Sequence, residues 1–140
     1  MRRLRRFVRL SGAERVILLQ ATLGIICVRF LLCILALRTV QHFVSCSIWR
    51  SESTCAVDRI VWAVRAAARL VPRSTCLIQS LAAQALLSRF GYKPLLTIGV
   101  AKNDRGLLEA HAWVSCEGQL LIGGPRVERY NSLLNLRSVS

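Results

Sequence analysis

Two residues of this sequence, Cys76 and His111, could form a nucleophile and its general base. Cys76 follows Ser74 and Thr75, either of which can cap a helix. The unpaired N–H groups and the dipole of a first helical turn stabilise a thiolate. The same N–H groups, including that of Cys76 itself, can hold an oxyanion. His111 follows in a strand-like segment, where its imidazole could take the thiol proton.

Each of these residues also has a more common structural role. Cysteine is among the most buried residue types, so Cys76 taken alone is more often a core residue than a nucleophile. His111 taken alone is likewise more often structural. Only the combination of a helix start and a downstream strand favours catalysis over packing, so the two assignments depend on each other.

Hydrophobic periodicity predicts the elements that must position this pair. A helix begins near Cys76 and ends at Gly91, and its wide apolar face contains Leu77, Ile78, Leu81, Ala82, Ala85 and Leu86. Turns at residues 103–106 and 117–118 separate three predicted strands, which cover residues 95–101, 109–116 and 119–123. Alternation puts His111 and Trp113 on one face of the second strand. The pattern predicts an α+β fold, in which N-terminal helices precede one nucleophile-bearing helix packed on a small antiparallel sheet.

The start of the chain combines basic charge with an apolar segment. An apolar run over residues 16–37 is preceded by Arg2, Arg3, Arg5, Arg6 and Arg9. No small-residue cleavage site closes the run, which argues against a signal peptide. Its length allows a transmembrane helix, but Arg29 would then lie inside the bilayer at a cost of about 2.5–3.5 kcal/mol. We expect a buried or partner-covered helix, with binding to a membrane surface as the alternative.

The following segment predicts a boundary within the chain. Residues 39–54 are polar and mixed, which indicates a connection with His42 on its surface. Residues 55–71 carry a helical apolar stripe, and Pro72 ends that helix. Trp49 and Trp62 are interpreted as packing residues. We therefore divide the chain into a helical region over residues 1–71 and a catalytic core over residues 72–140.

Composition limits the classes of function. The 140 residues suit one domain, and a net charge of +13 favours encounters with polyanions. Aromatic residues are sparse and not interleaved with basic ones, so we expect no nucleic-acid partner. The six cysteines include no CxxC pair or zinc-like cluster, which predicts no metal site and a reducing, cytoplasmic location. No phosphate-binding loop occurs, so no cofactor is expected, although a nucleotide requirement stays open.

An ordered set of motifs resembles the leader peptidases of bacterial lasso-peptide biosynthesis, which are transglutaminase-like, papain-related cysteine peptidases. The motifs are Ser74-Thr75-Cys76-Leu77-Ile78-Gln79-Ser80-Leu81-Ala82, Gly91-Tyr92, Ile98-Gly99-Val100, Ala110-His111-Ala112-Trp113-Val114, Gly118 and Leu121-Ile122-Gly123-Gly124. They cover the C-terminal half of the chain. The resemblance implies that Cys76 attacks the carbonyl at the end of a leader sequence, with His111 first as base and then as acid. Water would then hydrolyse the acyl-enzyme.

The resemblance also implies partners. The substrate would be a precursor peptide that carries a leader, and a lasso cyclase would use the released core peptide. A separate leader-recognition protein would hold the leader, because this chain has no room for such a domain before the peptidase.

The third catalytic group is left open by the resemblance. The family pattern often has an aspartate after the histidine strand, which orients the imidazole. Pairing across residues 117–118 puts Gly123 or Gly124 opposite His111, and neither has a side chain. The orienting group is then a backbone carbonyl, a water or a carboxylate from elsewhere, with Glu128 the nearest downstream candidate. Trp113 would either flank the substrate cleft or pack in the core.

Two other classes of function remain as alternatives. The charge allows a small basic nucleic-acid-binding protein, which salt-dependent affinity for DNA or RNA would identify. The apolar N-terminal segment allows a membrane-associated scaffold without activity, in which Cys76 and His111 are remnants. Leader release that depends on both residues would exclude this second alternative.

Overall fold

Helices form the first part of the structure and strands the second. The computed structural model describes residues 10–46 and 55–137. Its helices are α1 (Gly12–Ile34), α2 (Leu37–Cys46), α3 (Val57–Leu70) and α4 (Cys76–Arg89). Its strands are β1 (Leu95–Lys102), β2 (Leu108–Cys116), β3 (Gln119–Ile122) and β4 (Asn131–Arg137), with a short 3-10 helix (Val127–Arg129) before β4. The predicted α+β class is confirmed.

The sheet has the strand order β3-β2-β1-β4, and each neighbouring pair is antiparallel. The first three strands lie where alternation predicted them. Glu117 and Gly118 both have positive φ, as a two-residue hairpin turn between β2 and β3 requires. The sequence prediction missed β4, because this edge strand leaves most of its side chains exposed and therefore lacks a strong apolar alternation.

Helix α4 lies at the centre of the core. Eight of its fourteen residues are buried, and Leu81 and Leu87 are fully so. Helices α1 and α3 pack against it, and so does the sheet, which contributes Ala112 and Val114 from β2. A helix that is apolar on almost all sides has to be covered on almost all sides, and that requirement explains the layered arrangement.

Helix α1 has one buried face. That face consists of Ile17, Leu18, Ala21, Ile25 and Val28. By length and composition alone α1 could cross a membrane, although 28% of its most apolar window is buried within the protein. Arg29 lies beside the buried face and donates a hydrogen bond from Nη1 to the carbonyl of Pro72. The arginine that made a transmembrane helix costly is therefore used to hold the turn between α3 and α4.

One sequence prediction is wrong in this region. Residues 39–54 were expected to form a connection, but the first part of that segment lies in α2. Val40 is fully buried and Leu37 packs against the core, and tertiary packing of this kind stabilises a short helix. His42 is exposed, as expected. Trp49 lies outside the described residues.

The buried residues of the helices and of the sheet join in one core cluster. The predicted boundary between residues 71 and 72 falls in the turn between α3 and α4. Residues on both sides of this boundary contribute to that core. The division of the chain into a helical region and a catalytic core stays a prediction.

We expect Arg29→Met to lower the free energy of unfolding by about 1–2 kcal/mol, because it removes a charge-assisted hydrogen bond to a backbone carbonyl. Urea denaturation monitored by circular dichroism measures the change. Arg38→Met is the matched control, because Arg38 is an exposed arginine at the start of α2. Equal losses for the two variants would show that the bond to Pro72 contributes nothing.

Candidate active site

Cys76 is the first residue of α4 and is partly buried. Thr75 caps the helix, since its side chain accepts a hydrogen bond from the N–H of Ile78 and its carbonyl accepts one from Gln79. Within the described residues, no hydrogen bond occupies the N–H groups of Cys76 and Leu77. The thiol therefore lies beside two free donors at the positive end of a helix, a position that suits both a thiolate and an oxyanion.

The turn before Cys76 is held on both sides. Arg73 has a φ of 60°, a left-handed conformation that is unfavourable for a residue with a side chain. The carbonyl on its N-terminal side, that of Pro72, accepts the hydrogen bond from Arg29. The carbonyl on its C-terminal side, that of Ser74, accepts one from Gln79 Nε2 at 3.0 Å. These two bonds maintain an otherwise costly backbone and so determine how the chain approaches the nucleophile.

The other described cysteines lie in different environments. Cys55 and Cys116 are buried, and burial raises the pKa of the Cys55 thiol. Cys27 and Cys33 are exposed on α1, and both lie far from the N-terminus of that helix. Of the described cysteines, Cys76 alone combines partial burial with a helix N-terminus. This position distinguishes a candidate nucleophile from a core residue.

The His111 imidazole has a defined orientation. Its Nε2 lies 2.6 Å from the carbonyl oxygen of Gly123. A carbonyl can only accept, so Nε2 carries the proton and donates it in this bond. In the neutral ring Nδ1 is then the unprotonated nitrogen, which is the form that a general base requires. Of the three kinds of orienting group that the sequence left open, the structure supplies a backbone carbonyl.

The position of Gly123 differs from the sequence prediction. A β-bulge between Val114 and Ser115 shifts the pairing of β2 with β3, so Gly123 lies against Trp113 and not opposite His111. Gly123 has a φ of 128°, and a Cβ there would lie 2.3 Å from Cβ of Trp113. An aspartate cannot occupy this position without a shift of the backbone. The carbonyl takes the place of the missing carboxylate.

Glu128 is not the group that contacts His111 Nε2. Glu128 is exposed on the 3-10 helix. The hydrogen bond from His111 Nε2 is accepted by the carbonyl of Gly123. The sequence suggested Glu128 because it is the nearest carboxylate downstream of Gly123 and Gly124. Its role as the third catalytic member stays a prediction.

Trp113 packs beside the histidine. Its indole covers Gly99 of β1, where a Cβ would lie 2.8 Å from Cη2 of the tryptophan. The indole centroid is 6.3 Å from that of His111, with the two rings inclined by 26°. Because Gly99 pairs directly with His111 across the sheet, its missing side chain provides the space that the indole occupies. Trp113 therefore supports the imidazole, and its contact with substrate stays a prediction.

Tyr130 is a site residue that the sequence analysis missed. Its ring centroid is 5.0 Å from that of His111 and 6.4 Å from that of Trp113. Partial burial raises the pKa of Tyr130, and so do the charge of Glu109, a hydrogen bond to that carboxylate and the nearby Cys76. Tyr130 thus lies against the base and within electrostatic reach of the nucleophile. No sequence signal indicated this role, because Tyr130 precedes the strand that alternation failed to predict.

Glu109 has a larger part in the site than its sequence context suggested. It is exposed on β2, and its carboxylate lies close enough to Tyr130 to raise the pKa of that phenol. It shares a face of β2 with His111 and Trp113. The negative charge of the carboxylate is one of the causes that raise the pKa of Tyr130. Glu109, His111 and Tyr130 therefore belong to the same part of the site.

Known proteins were compared with this sequence. The sequence model of the Transglutaminase-like superfamily matches residues 26–135, a span that contains both Cys76 and His111. This chain belongs to the transglutaminase-like superfamily. The typical chemistry of the superfamily is of the cysteine-peptidase kind, and its α+β architecture fits the fold described above. No curated protein and no solved structure matches the chain.

Among residues 10–46 and 55–137, no three His, Cys, Asp or Glu side chains are grouped so that they could hold a metal ion.

We expect Gly123→Ala to cost about 3 kcal/mol or more, because an added Cβ overlaps Trp113 and the φ is unfavourable for alanine. Gly124→Ala is the control. Its φ is 78°, but no atom lies within 4 Å of an added Cβ, so only the conformational cost of about 1–2 kcal/mol applies. Thermal unfolding of both variants measures the difference. Equal destabilisation would contradict the close contact at Gly123.

The role of Tyr130 can be tested through the reactivity of Cys76. We expect Tyr130→Ala to slow alkylation of Cys76 by iodoacetamide about tenfold, since a mobile imidazole loses part of the 10²–10⁴-fold that a positioned base supplies. Tyr130→Phe keeps the ring and should retain most of the rate. Mass spectrometry that resolves each cysteine measures the reaction. If both variants lose equally, the hydroxyl and not the ring is the important group.

Proposed function

We propose that this chain is a cysteine peptidase that removes the leader from a ribosomally made lasso-precursor peptide. The observation that carries the proposal is the hydrogen bond from His111 Nε2 to the Gly123 carbonyl, which leaves Nδ1 as a base. Cys76 at the start of α4 supplies the nucleophile. Membership of the transglutaminase-like superfamily supports this class of reaction.

The reaction proceeds in two stages. His111 Nδ1 takes the proton of Cys76, and the sulfur attacks the carbonyl carbon of the last leader residue. The oxyanion of the tetrahedral intermediate is held by the N–H groups of Cys76 and Leu77. His111 then protonates the amine of the core peptide, which leaves with a free N-terminus. In the second stage His111 activates a water, which releases the leader from the thioester.

The orienting carbonyl has an energetic consequence. A carboxylate beside Nε2 would stabilise the imidazolium by charge, whereas the Gly123 carbonyl offers only a dipole. We therefore expect a slower enzyme than one with an aspartate at this position.

The substrate and partners follow from the motif resemblance. A separate leader-recognition protein presents the precursor, and a lasso cyclase uses the free N-terminus of the product. The reducing, cytoplasmic location expected from the scattered cysteines is part of this proposal, and Cys27, Cys33, Cys55, Cys76 and Cys116 are free thiols.

The reaction can be tested with the purified chain, a leader-recognition protein and a lasso-precursor peptide. We expect mass spectrometry to detect release of the leader, with no release by Cys76→Ala. His111→Ala should lower the rate about 10²–10⁴-fold, which is the usual contribution of a general base. Leader release by Cys76→Ala would contradict the mechanism.

Glu128→Gln provides the matched control for the third group. It removes an exposed carboxylate that does not contact Nε2, so the rate should stay within about twofold of the unmodified chain. A loss comparable to that of His111→Ala would show that Glu128 and not the Gly123 carbonyl orients the base.

A further inference from the structure

Helix α1 presents an exposed apolar face opposite to its buried one. Helical spacing aligns its members, which we term the outer stripe: Val16, Leu19, Leu23, Cys27, Phe30 and Ile34. Leu19, Phe30 and Ile34 are 61%, 64% and 78% exposed. None of the six side chains is charged or hydrogen-bonding apart from the weakly polar thiol. At a rise of 1.5 Å per residue the stripe extends over about 27 Å.

Basic residues accompany the outer stripe. Residues 1–46 contain eight arginines and a single acidic residue, Glu14. Glu14 is committed to the cap of α1, where its carboxylate accepts hydrogen bonds from the N–H and the hydroxyl of Ser11. Arg15 and Arg38 are exposed near the two ends of the stripe. The sequence around the outer stripe is thus strongly basic, and an anionic surface would complement that charge.

We propose that α1 binds in the plane of an anionic lipid bilayer, with the outer stripe inserted at the level of the headgroup and acyl-chain boundary. Exposed basic residues near the stripe, Arg15 and Arg38 among them, contact the lipid headgroups. This arrangement combines the two features that bring amphipathic helices to membrane surfaces, an apolar face and flanking basic residues. It is independent of the proposed peptidase activity.

The packing of α1 opposes a membrane-spanning arrangement. Its inner face, including Ala21 and Ile25, is fully covered by α3 and α4. Helix α3 exposes Asp58, Arg59 and Arg65. If α1 crossed the bilayer with this packing intact, those charges would enter the hydrocarbon, where each is costly. An in-plane helix exposes only the outer stripe to lipid and leaves the core unchanged.

The composition of the stripe favours lipid over a protein partner. A protein interface carries about one hydrogen bond per 100–200 Å², and its rim is polar. The outer stripe presents no strong donor or acceptor between Val16 and Ile34, so nothing in it specifies the register of a protein partner. Hydrocarbon requires no such groups, and the surrounding arginines supply attraction to headgroups without specific geometry.

Vesicle sedimentation tests the proposal with the full chain. We expect binding to vesicles that contain phosphatidylglycerol, weaker binding to vesicles of phosphatidylcholine alone, and loss of binding at high salt. The double variant Leu23→Gln/Phe30→Gln should bind at least about tenfold more weakly, because each change removes an apolar side chain from the buried area. Leu133→Gln, at a 67% exposed leucine on β4, is the matched control and should bind like the unmodified chain.

The outcomes separate the possible occupants of the stripe. Circular dichroism and thermal unfolding should show that the double variant stays folded. Equal vesicle binding by the double variant and the unmodified chain would overturn the proposal. Resistance of bound protein to an alkaline carbonate wash would indicate a spanning helix and also overturn it. Absence of binding to any vesicle would also overturn the proposal. Self-association, or binding of the leader-recognition protein, that depends on Leu23 and Phe30 would then identify a protein as the occupant of the stripe. Peptidase activity does not enter these measurements.

Discussion

The burial of α4 on nearly all its sides is the constraint on which the rest of the structure depends. Helices α1 and α3 cover it from one direction and the sheet from another, and Leu81 and Leu87 lose all contact with solvent. The ends of α4 are less buried than its middle, and Cys76 is located at the N-terminal end with two unpaired N–H groups. The same packing that stabilises the domain thus concentrates unsatisfied donors at one accessible point, where they can stabilise negative charge.

The histidine side of the site depends on α4 less directly. Gln84 of α4 is fully buried and donates a hydrogen bond from Nε2 to the carbonyl of Leu136 in β4. A second bond, from Thr97 to Asn135, ties β4 to β1. These contacts hold β4 in register, and Tyr130 immediately precedes that strand. Helix α4 therefore carries the candidate nucleophile at its start. Through Gln84 it also restrains β4, and Tyr130, the residue before β4, packs on His111.

Polar contacts to backbone carbonyls recur at the points that matter for chemistry. Arg29 holds the carbonyl of Pro72, Gln79 that of Ser74, and the carbonyl of Gly123 holds His111. Arg65 also donates to the carbonyl of Leu121 in β3, two residues before Gly123. In each case the partner of the side chain is a neutral backbone carbonyl and not a charged group. This arrangement avoids the desolvation cost of buried ion pairs, but it gives the imidazolium less electrostatic stabilisation than a carboxylate would.

The sequence alone predicted most of the local elements and singled out Cys76 and His111 as the candidate reacting pair. Helical and strand periodicity, the cap at Thr75 and the glycine at Gly91 are signals contained within a few residues, so α4, β1, β2 and β3 were predicted close to their observed bounds. The tertiary structure decided the rest. Strand β4 and Tyr130 reach the site only through pairing with β1, more than 30 residues earlier in the chain. Two further features of the site belong to the backbone: the bulge that moves Gly123 against Trp113, and the carbonyl that accepts the hydrogen bond from His111. A pattern of side chains cannot predict them, because every residue has a carbonyl group and only long-range packing determines where it points.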